Sequence, residues 1–122
     1  MIKRNVLSDQ QAKDAISTGE FGDEVVSSQK YTAVILTQDW CPQWTAMDNW
    51  IHQLETEGSS ESPEIEIFEY VYNLTSIRNE FMRFKENVLG NHLIPYVRYY
   101  VDGRCVAESN YISKDGFLSK FN

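Results

Sequence analysis

Cys41 is the side chain of this sequence with the clearest capacity for chemistry. The apolar, β-branched run Tyr31–Leu36 predicts a buried strand, and Pro42 suits the first position of a helix that follows it. Cys41 would therefore lie at a helix N-terminus, where free backbone N–H groups and the helix dipole favour a thiolate. Asp39 opposes this effect, because a nearby carboxylate disfavours a second negative charge.

The chain lacks the second cysteine of a dithiol pair. A Cys-x-x-Cys motif would place it at position 44, where this chain has Trp44. Two interpretations of Cys41 remain open. It either attacks a mixed disulfide and leaves glutathione or a second protein to resolve the product, or it is an unused cysteine at a reactive position. Cys105, the other cysteine, is expected to be a small buried side chain rather than its partner.

Properties of the whole chain narrow the classes of function. With 122 residues, 42% of them hydrophobic, we expect one domain spanning residues 1–122. The formal net charge of −7 argues against binding to nucleic acid or to an anionic membrane, because both favour a basic surface. No apolar run is long enough to span a membrane, and Met1–Asp9 lacks the apolar stretch of a signal peptide. A cytoplasmic location is expected.

Other polar residues do not form a recognisable site. His52 and His92 have no partners at metal-ligand spacing, so both are expected at the surface and no metal site is predicted. Glu64, Glu66 and Glu69 are expected on a solvated or edge face of a strand. The polar stretch 55–63 is expected to be a surface loop.

The remaining patterns predict the elements that would position Cys41. A capping box at Ser8–Gln11 opens a first helix, and the i, i+3, i+4, i+7 spacing after Pro42 marks the clearest one. The predicted order is helix 8–18, strand 31–36, a helix from 42, strand 64–72, helix 77–88, strands 96–101 and 104–108 around an Asp-Gly turn, and a short helix from 113. A strand–helix–strand unit implies parallel neighbours, and the hairpin adds antiparallel strands. We therefore expect an α/β fold with a central mixed sheet and helices on both faces.

In this order of elements the chain resembles the thioredoxin-like superfamily. The segment Trp40-Cys41-Pro42-Gln43-Trp44 is similar to the Trp-Cys-x-x-Cys of that family. Leu93-Ile94-Pro95-Tyr96 is similar to its Ile-Pro-Thr, whose proline is cis and faces the active cysteine. Tyr100-Val-Asp-Gly-Arg104 is similar to its aromatic-x-x-Gly hairpin. The resemblance implies a thioredoxin-like fold.

The resemblance also implies a substrate groove beside Cys41. Its expected lining residues are Trp40, Pro42, Trp44, Ile94, Pro95 and Tyr96. Backbone groups of Ile94 would pair there with an extended peptide or with a small thiol such as glutathione. For Trp40 and Tyr96, an interface role and simple shielding are equally open, whereas Trp44 is expected to be buried under the motif.

Three departures from the family pattern concern function. Trp44 replaces the resolving cysteine, Ile35 replaces the buried aspartate that takes its proton, and Tyr96 replaces the threonine after the proline. The first two agree, because without a second thiol a buried carboxylate would only cost desolvation. We expect a divergent member that is not a dithiol reductase. Cys41 alone would act on a protein or peptide, with no bound cofactor and with glutathione or another low-molecular-weight thiol as co-substrate.

A catalytically inactive module is the alternative. It would bind a protein partner through a groove formed by Trp40, Trp44 and Tyr96.

Overall fold

Five strands form one mixed sheet in the computed structural model, which describes residues 2–57 and 63–121. The strands are β1 (Ile2–Val6), β2 (Tyr31–Thr37), β3 (Ile65–Val71), β4 (Tyr96–Val101) and β5 (Arg104–Ser109). Their spatial order is β1-β3-β2-β4-β5. The first three are parallel, β4 is antiparallel to β2, and β5 is antiparallel to β4. The predicted mixed sheet is confirmed.

Helices cover both faces of this sheet, as predicted. One face carries α1 (Asp9–Thr18), α2 (Asp23–Val26) and α4 (Arg78–Asn87), and the other carries α3 (Pro42–Glu57) and α5 (Lys114–Ser119). A single 3₁₀ turn, Tyr72–Leu74, follows β3. None of the helices in residues 2–57 and 63–121 has the length and apolar character needed to cross a membrane.

Local sequence signals account for α1 and α3. At the start of α1 the Gln11 N–H donates to Ser8 Oγ at 3.0 Å and the Ser8 N–H donates to Gln11 Oε1 at 2.9 Å, which is the predicted capping box. The helix from Pro42 ends at Glu57, so the first three residues of the predicted polar loop are helical. The loop residues 58–62 lie outside the described part of the chain.

The sequence does not predict β1, because Ile-Lys-Arg-Asn-Val lacks the apolar alternation of a strand. As an edge strand beside β3 it buries Ile2 and places Arg4 next to Glu69. The Arg4 guanidinium donates to both carboxylate oxygens of Glu69, at 2.5 and 2.8 Å. Since β3 lies between β1 and β2, the expectation of a solvated or edge face is wrong for Glu66 and Glu69.

The sheet separates two apolar cores. The α3-side core contains Ile35 and Cys41 together with the buried residues of α3 and α5, and the α1-side core contains Val34 and Leu36 with those of α1, α2 and α4. Successive side chains of a strand point to opposite faces, so Ile35 lies in one core whereas Val34 and Leu36 lie in the other. A side chain therefore shares a core with Cys41 only if it points to the α3 side of the sheet.

Candidate functional site

Cys41 is the N-cap residue of α3. Its carbonyl accepts the Thr45 N–H at 3.1 Å, the first i to i+4 bond of the helix, and its own N–H donates to the Gln38 carbonyl at 3.4 Å. Only 5% of the residue is exposed. The sequence correctly places this cysteine where β2 ends and a helix begins, next to the free N–H groups of the first turn.

The segment facing the thiol is Ile94–Pro95. The Cys41 S–H donates to the Ile94 carbonyl with a sulfur–oxygen distance of 3.8 Å. The peptide bond between Ile94 and Pro95 is cis, and Pro95 is buried. Only the protonated thiol makes this hydrogen bond. When the thiol ionises, the carbonyl becomes free to accept an N–H from an extended peptide.

Trp44 and Ile35, two of the departures from the family pattern, are core residues on the same side of the sheet as Cys41. Trp44 is buried in the α3-side core, as expected, so the prediction that it also lines the groove is wrong. Ile35 is fully buried in the same core. Glu69 is the register partner of Ile35 on β3 and was not singled out as part of a site by the sequence. Its carboxylate is bound by Arg4, which also donates to Asp48 Oδ1 at 2.6 Å, so this acid already has a cationic partner.

Three exposed apolar side chains belong to the Cys41 segment and to the two segments that are hydrogen-bonded to it. We call Trp40, Leu74 and Leu93 the apolar rim; they are 65%, 69% and 63% exposed. The segments of Trp40 and Leu74 are joined because the Asp39 N–H donates to Asn73 Oδ1 at 3.1 Å and Asn73 Nδ2 donates to Asp39 Oδ1 at 2.6 Å. Leu93 precedes Ile94, whose carbonyl accepts the Cys41 S–H. Neither Leu74 nor Leu93 is among the groove residues that the sequence predicts, since single exposed leucines have no sequence signature.

The prediction that Tyr96 lines the groove is wrong. Its ring is fully buried in the α1-side core, on the face of the sheet opposite Cys41. The hydroxyl donates to Glu108 and accepts from Arg98 Nη1 at 2.9 Å. Burial and the neighbouring Glu108 raise the pKa of Tyr96. Tyr96 is the first residue of β4, and strand alternation turns its side chain away from the thiol.

Trp40 and Pro42 are both exposed beside Cys41. The Trp40 indole N–H donates to Gln38 Oε1, and Gln38 Nε2 donates to the Tyr72 hydroxyl at 3.1 Å. Gln38 thus links the motif to the turn after β3, a role that the sequence does not signal. The indole face of Trp40 stays available to a partner.

The prediction that Cys105 is buried is also wrong. Cys105 is exposed on β5, and it pairs with Tyr100, whose side chain belongs to the α1-side core. Cys41 and Cys105 therefore lie on opposite faces of the sheet. Partial burial raises the pKa of Cys105, and Glu20 and Glu108 add to this effect while Arg98 opposes it.

Both histidines are at the surface, as predicted. His52 lies 3.8 Å from Glu55 and His92 lies 3.7 Å from Glu86. Within residues 2–57 and 63–121, no group of three or more His, Cys, Asp and Glu side chains is placed to hold a metal ion.

A cavity of about 210 Å³ lies away from the thiol. It is lined by Lys3, Gln29, Glu64, Ile65 and Glu66. Ile65 is the first residue of β3, whereas Cys41 lies beyond Thr37, the last residue of the parallel strand β2. The cavity and Cys41 are therefore at opposite ends of the sheet.

Solved structures with the same architecture include several thioredoxins. The oxidised thioredoxin O1 of Arabidopsis thaliana superposes with a TM-score of 0.63 at 12% identity, covering 97% of this chain and 92% of that one. A variant thioredoxin of Halobacterium salinarum gives 0.63 at 15% identity over 96% and 86%. Thioredoxin f2 of Chlamydomonas reinhardtii gives 0.60 at 15% identity over 98% and 92%. No family model and no curated protein matches the sequence.

This chain therefore has a thioredoxin fold. The resemblance to the thioredoxin-like superfamily is confirmed at the level of the fold. Cys41 lies between the end of β2 and the start of α3 in this fold.

Proposed function

We propose that this domain exchanges thiols and disulfides through Cys41 alone. The observation that carries the proposal is the placement of the sulfur at the N-cap of α3, 3.8 Å from the Ile94 carbonyl. Free N–H groups of the first helical turn stabilise a thiolate at that position. The facing carbonyl belongs to a segment that an extended peptide can pair with.

The proposed cycle needs no second cysteine. The Cys41 thiol gives its proton to solvent, and the thiolate attacks the glutathione sulfur of a glutathionylated peptide. The peptide sulfur leaves as a thiolate, which takes up a proton, and Cys41 is left joined to glutathione. A second glutathione thiolate attacks this mixed disulfide, releases Cys41 and forms glutathione disulfide. One disulfide is reduced and one is formed, and a single free glutathione thiol is consumed, because the other half of the glutathione disulfide comes from the glutathionylated peptide.

The apolar rim supports a peptide rather than a free small thiol as the bound substrate. Trp40, Leu74 and Leu93 offer exposed apolar surface on the Cys41 segment and on the two segments that are hydrogen-bonded to it. A tryptophan is among the side chains that most often anchor a protein interface. Apolar side chains of an extended substrate would contact the rim while its backbone pairs with Ile94.

The two cysteines provide a matched test of the chemistry. We expect Cys41→Ser to reduce the turnover of a glutathionylated peptide, with glutathione in excess, to the uncatalysed rate. Cys105→Ser should leave turnover unchanged, because Cys105 lies on the other face of the sheet. The rate of glutathione disulfide formation measures both, and mass spectrometry should find glutathione on Cys41 and not on Cys105. Turnover that survives in Cys41→Ser would reject the proposal.

Partner binding without chemistry is the second candidate. It is favoured by the low exposure of Cys41 and by the hydrogen bond that its S–H donates to the Ile94 carbonyl. In that case Cys41→Ser binds extended apolar peptides as well as the original protein does, and no turnover is found. Trp40→Ala should weaken binding, measured by fluorescence anisotropy, whereas Val106→Ala on the remote strand β5 should not. Unchanged binding in Trp40→Ala would exclude the rim as the binding surface.

A further inference from the structure

Lys85 is a cation buried at the end of α4. Only 1% of it is exposed, and its ammonium donates to the Asn91 carbonyl at 2.9 Å and lies 5.7 Å from the centre of the Tyr96 ring. Burial lowers the pKa of Lys85 to about 8. The carboxylate of Glu86, on the same helix, offsets only part of this effect, and Glu86 itself is paired with His92. Among the described residues, Glu86 and Tyr96 are the ionisable groups placed next to the Lys85 ammonium. An ammonium in such surroundings lowers the stability of the fold.

Asn91 connects this lysine to the segment beside the thiol. Asn91 Oδ1 accepts from the Leu93 N–H at 3.0 Å, and the side chains of Asn91 and Asn110 donate to each other at 3.1 and 2.9 Å. Asn110 Nδ2 also donates to the Pro95 carbonyl at 3.0 Å. Both residues that flank the thiol-facing carbonyl are therefore tied, through two asparagines, to the buried ammonium.

We propose that Lys85 is a positioning residue that holds the Leu93–Pro95 segment against Cys41 through Asn91 and Asn110. An apolar side chain of the same length would fill its space without burying a charge. What the ammonium adds is the bond to the Asn91 carbonyl. The inference rests on the proposed function for its role in thiol exchange, although the mechanical link can be tested without any activity.

Lys85→Met separates a positioning role from a merely structural one. In both cases the fold becomes more stable, but the exchange of nearby backbone amides should become faster if Lys85 positions the segment and slower if it does not. The variant should unfold at a higher urea concentration at pH 7, since a buried charge is removed. The backbone amides of Asn91 and Leu93 should nevertheless exchange faster, by roughly fivefold, the equivalent of one ordinary hydrogen bond. Lys13→Met, at an exposed position of α1, should change neither quantity. Exchange at Asn91 and Leu93 that slows or stays the same would overturn the proposal.

The pH profile and a second variant complete the test. The folded state releases the Lys85 proton near pH 8 and the unfolded state near 10.5, so the free energy of unfolding should rise with pH across that interval. This rise should be missing in Lys85→Met and present in Asn110→Ala, which should loosen the same two amides. All variants are made in a Cys41→Ser background. Amide exchange in these variants is therefore independent of thiol chemistry. Absence of turnover in the separate glutathionylated-peptide assay would refute the thiol chemistry alone, and unchanged amides in both variants would refute the positioning role alone.

Discussion

Ile35→Asp is expected to destabilise the domain by about 4–6 kcal/mol, a large part of the stability of a domain of this size. Ile35 is fully buried on β2, between Val97 and Glu69 in the sheet register. The new carboxylate would be desolvated there and would stand beside the existing acid of Glu69. Arg4 is already bound to Glu69 through two hydrogen bonds, so it offers little compensation. Urea denaturation of the purified variant measures the loss.

Ile35→Val is the matched control, with an expected loss of about 0.5–1.5 kcal/mol for one buried methyl group. The penalty of Ile35→Asp should also shrink as the pH falls. Burial raises the pKa of the introduced carboxyl above its unfolded value, so the folded state binds more protons and stability decreases as pH rises through that interval. A loss no larger than that of Ile35→Val would show that position 35 tolerates a charge. The absence of the family's carboxylate would then need another explanation.

The second large effect concerns the ionic network on the α1 side of β4. Arg98 donates to Glu20 at 2.7 Å and to Glu108 at 3.5 Å, and to the Tyr96 and Tyr100 hydroxyls at 2.9 Å each. The side chain of Arg98 is 11% exposed, whereas those of Glu20 and Glu108 are 43% and 52% exposed. The cation is therefore buried and its two counter-charges are partly hydrated.

This asymmetry predicts that removing the two carboxylates does more damage than removing the arginine. The double variant Glu20→Gln and Glu108→Gln should lose about 3–5 kcal/mol, because it leaves a buried guanidinium without a counter-charge. Arg98→Met should lose only about 1–2 kcal/mol, since both carboxylates can take up water and both tyrosine hydroxyls keep a carboxylate partner. Chemical denaturation of both variants at the same pH measures which of them loses more stability. Equal losses would mean that the network behaves as an ordinary surface cluster.

The sequence predicts the parts of this fold that local patterns determine. The capping box at Ser8, the proline at position 42 and the Asp102–Gly103 turn each specify a local geometry, and each appears in the structure. The continuous apolar run of β2 likewise predicts a strand buried on both faces. By contrast, β1 is polar along most of its length and forms because β3 offers it a partner, which no local pattern contains.

The candidate site shows the same division. The position of Cys41 and the burial of Trp44 are predicted correctly because both follow from the start of a helix, whereas a place for Trp44 in the groove is not found. Tyr96 is misplaced because the side on which a strand residue points depends on the register of β4 against β2, and one residue reverses the side. The apolar rim and the Asn91–Asn110 pair join segments far apart in the chain, so only the assembled fold reveals them.

The separation of the two cysteines by the sheet has a consequence for oxidative damage. A dithiol site stops oxidation at a disulfide, but Cys41 and Cys105 have no such route within one chain. A sulfenic acid formed on Cys41 would advance to the irreversible sulfinic acid unless an external thiol condensed with it first. Survival of this sulfur under peroxide therefore depends on the supply of small thiols around the protein.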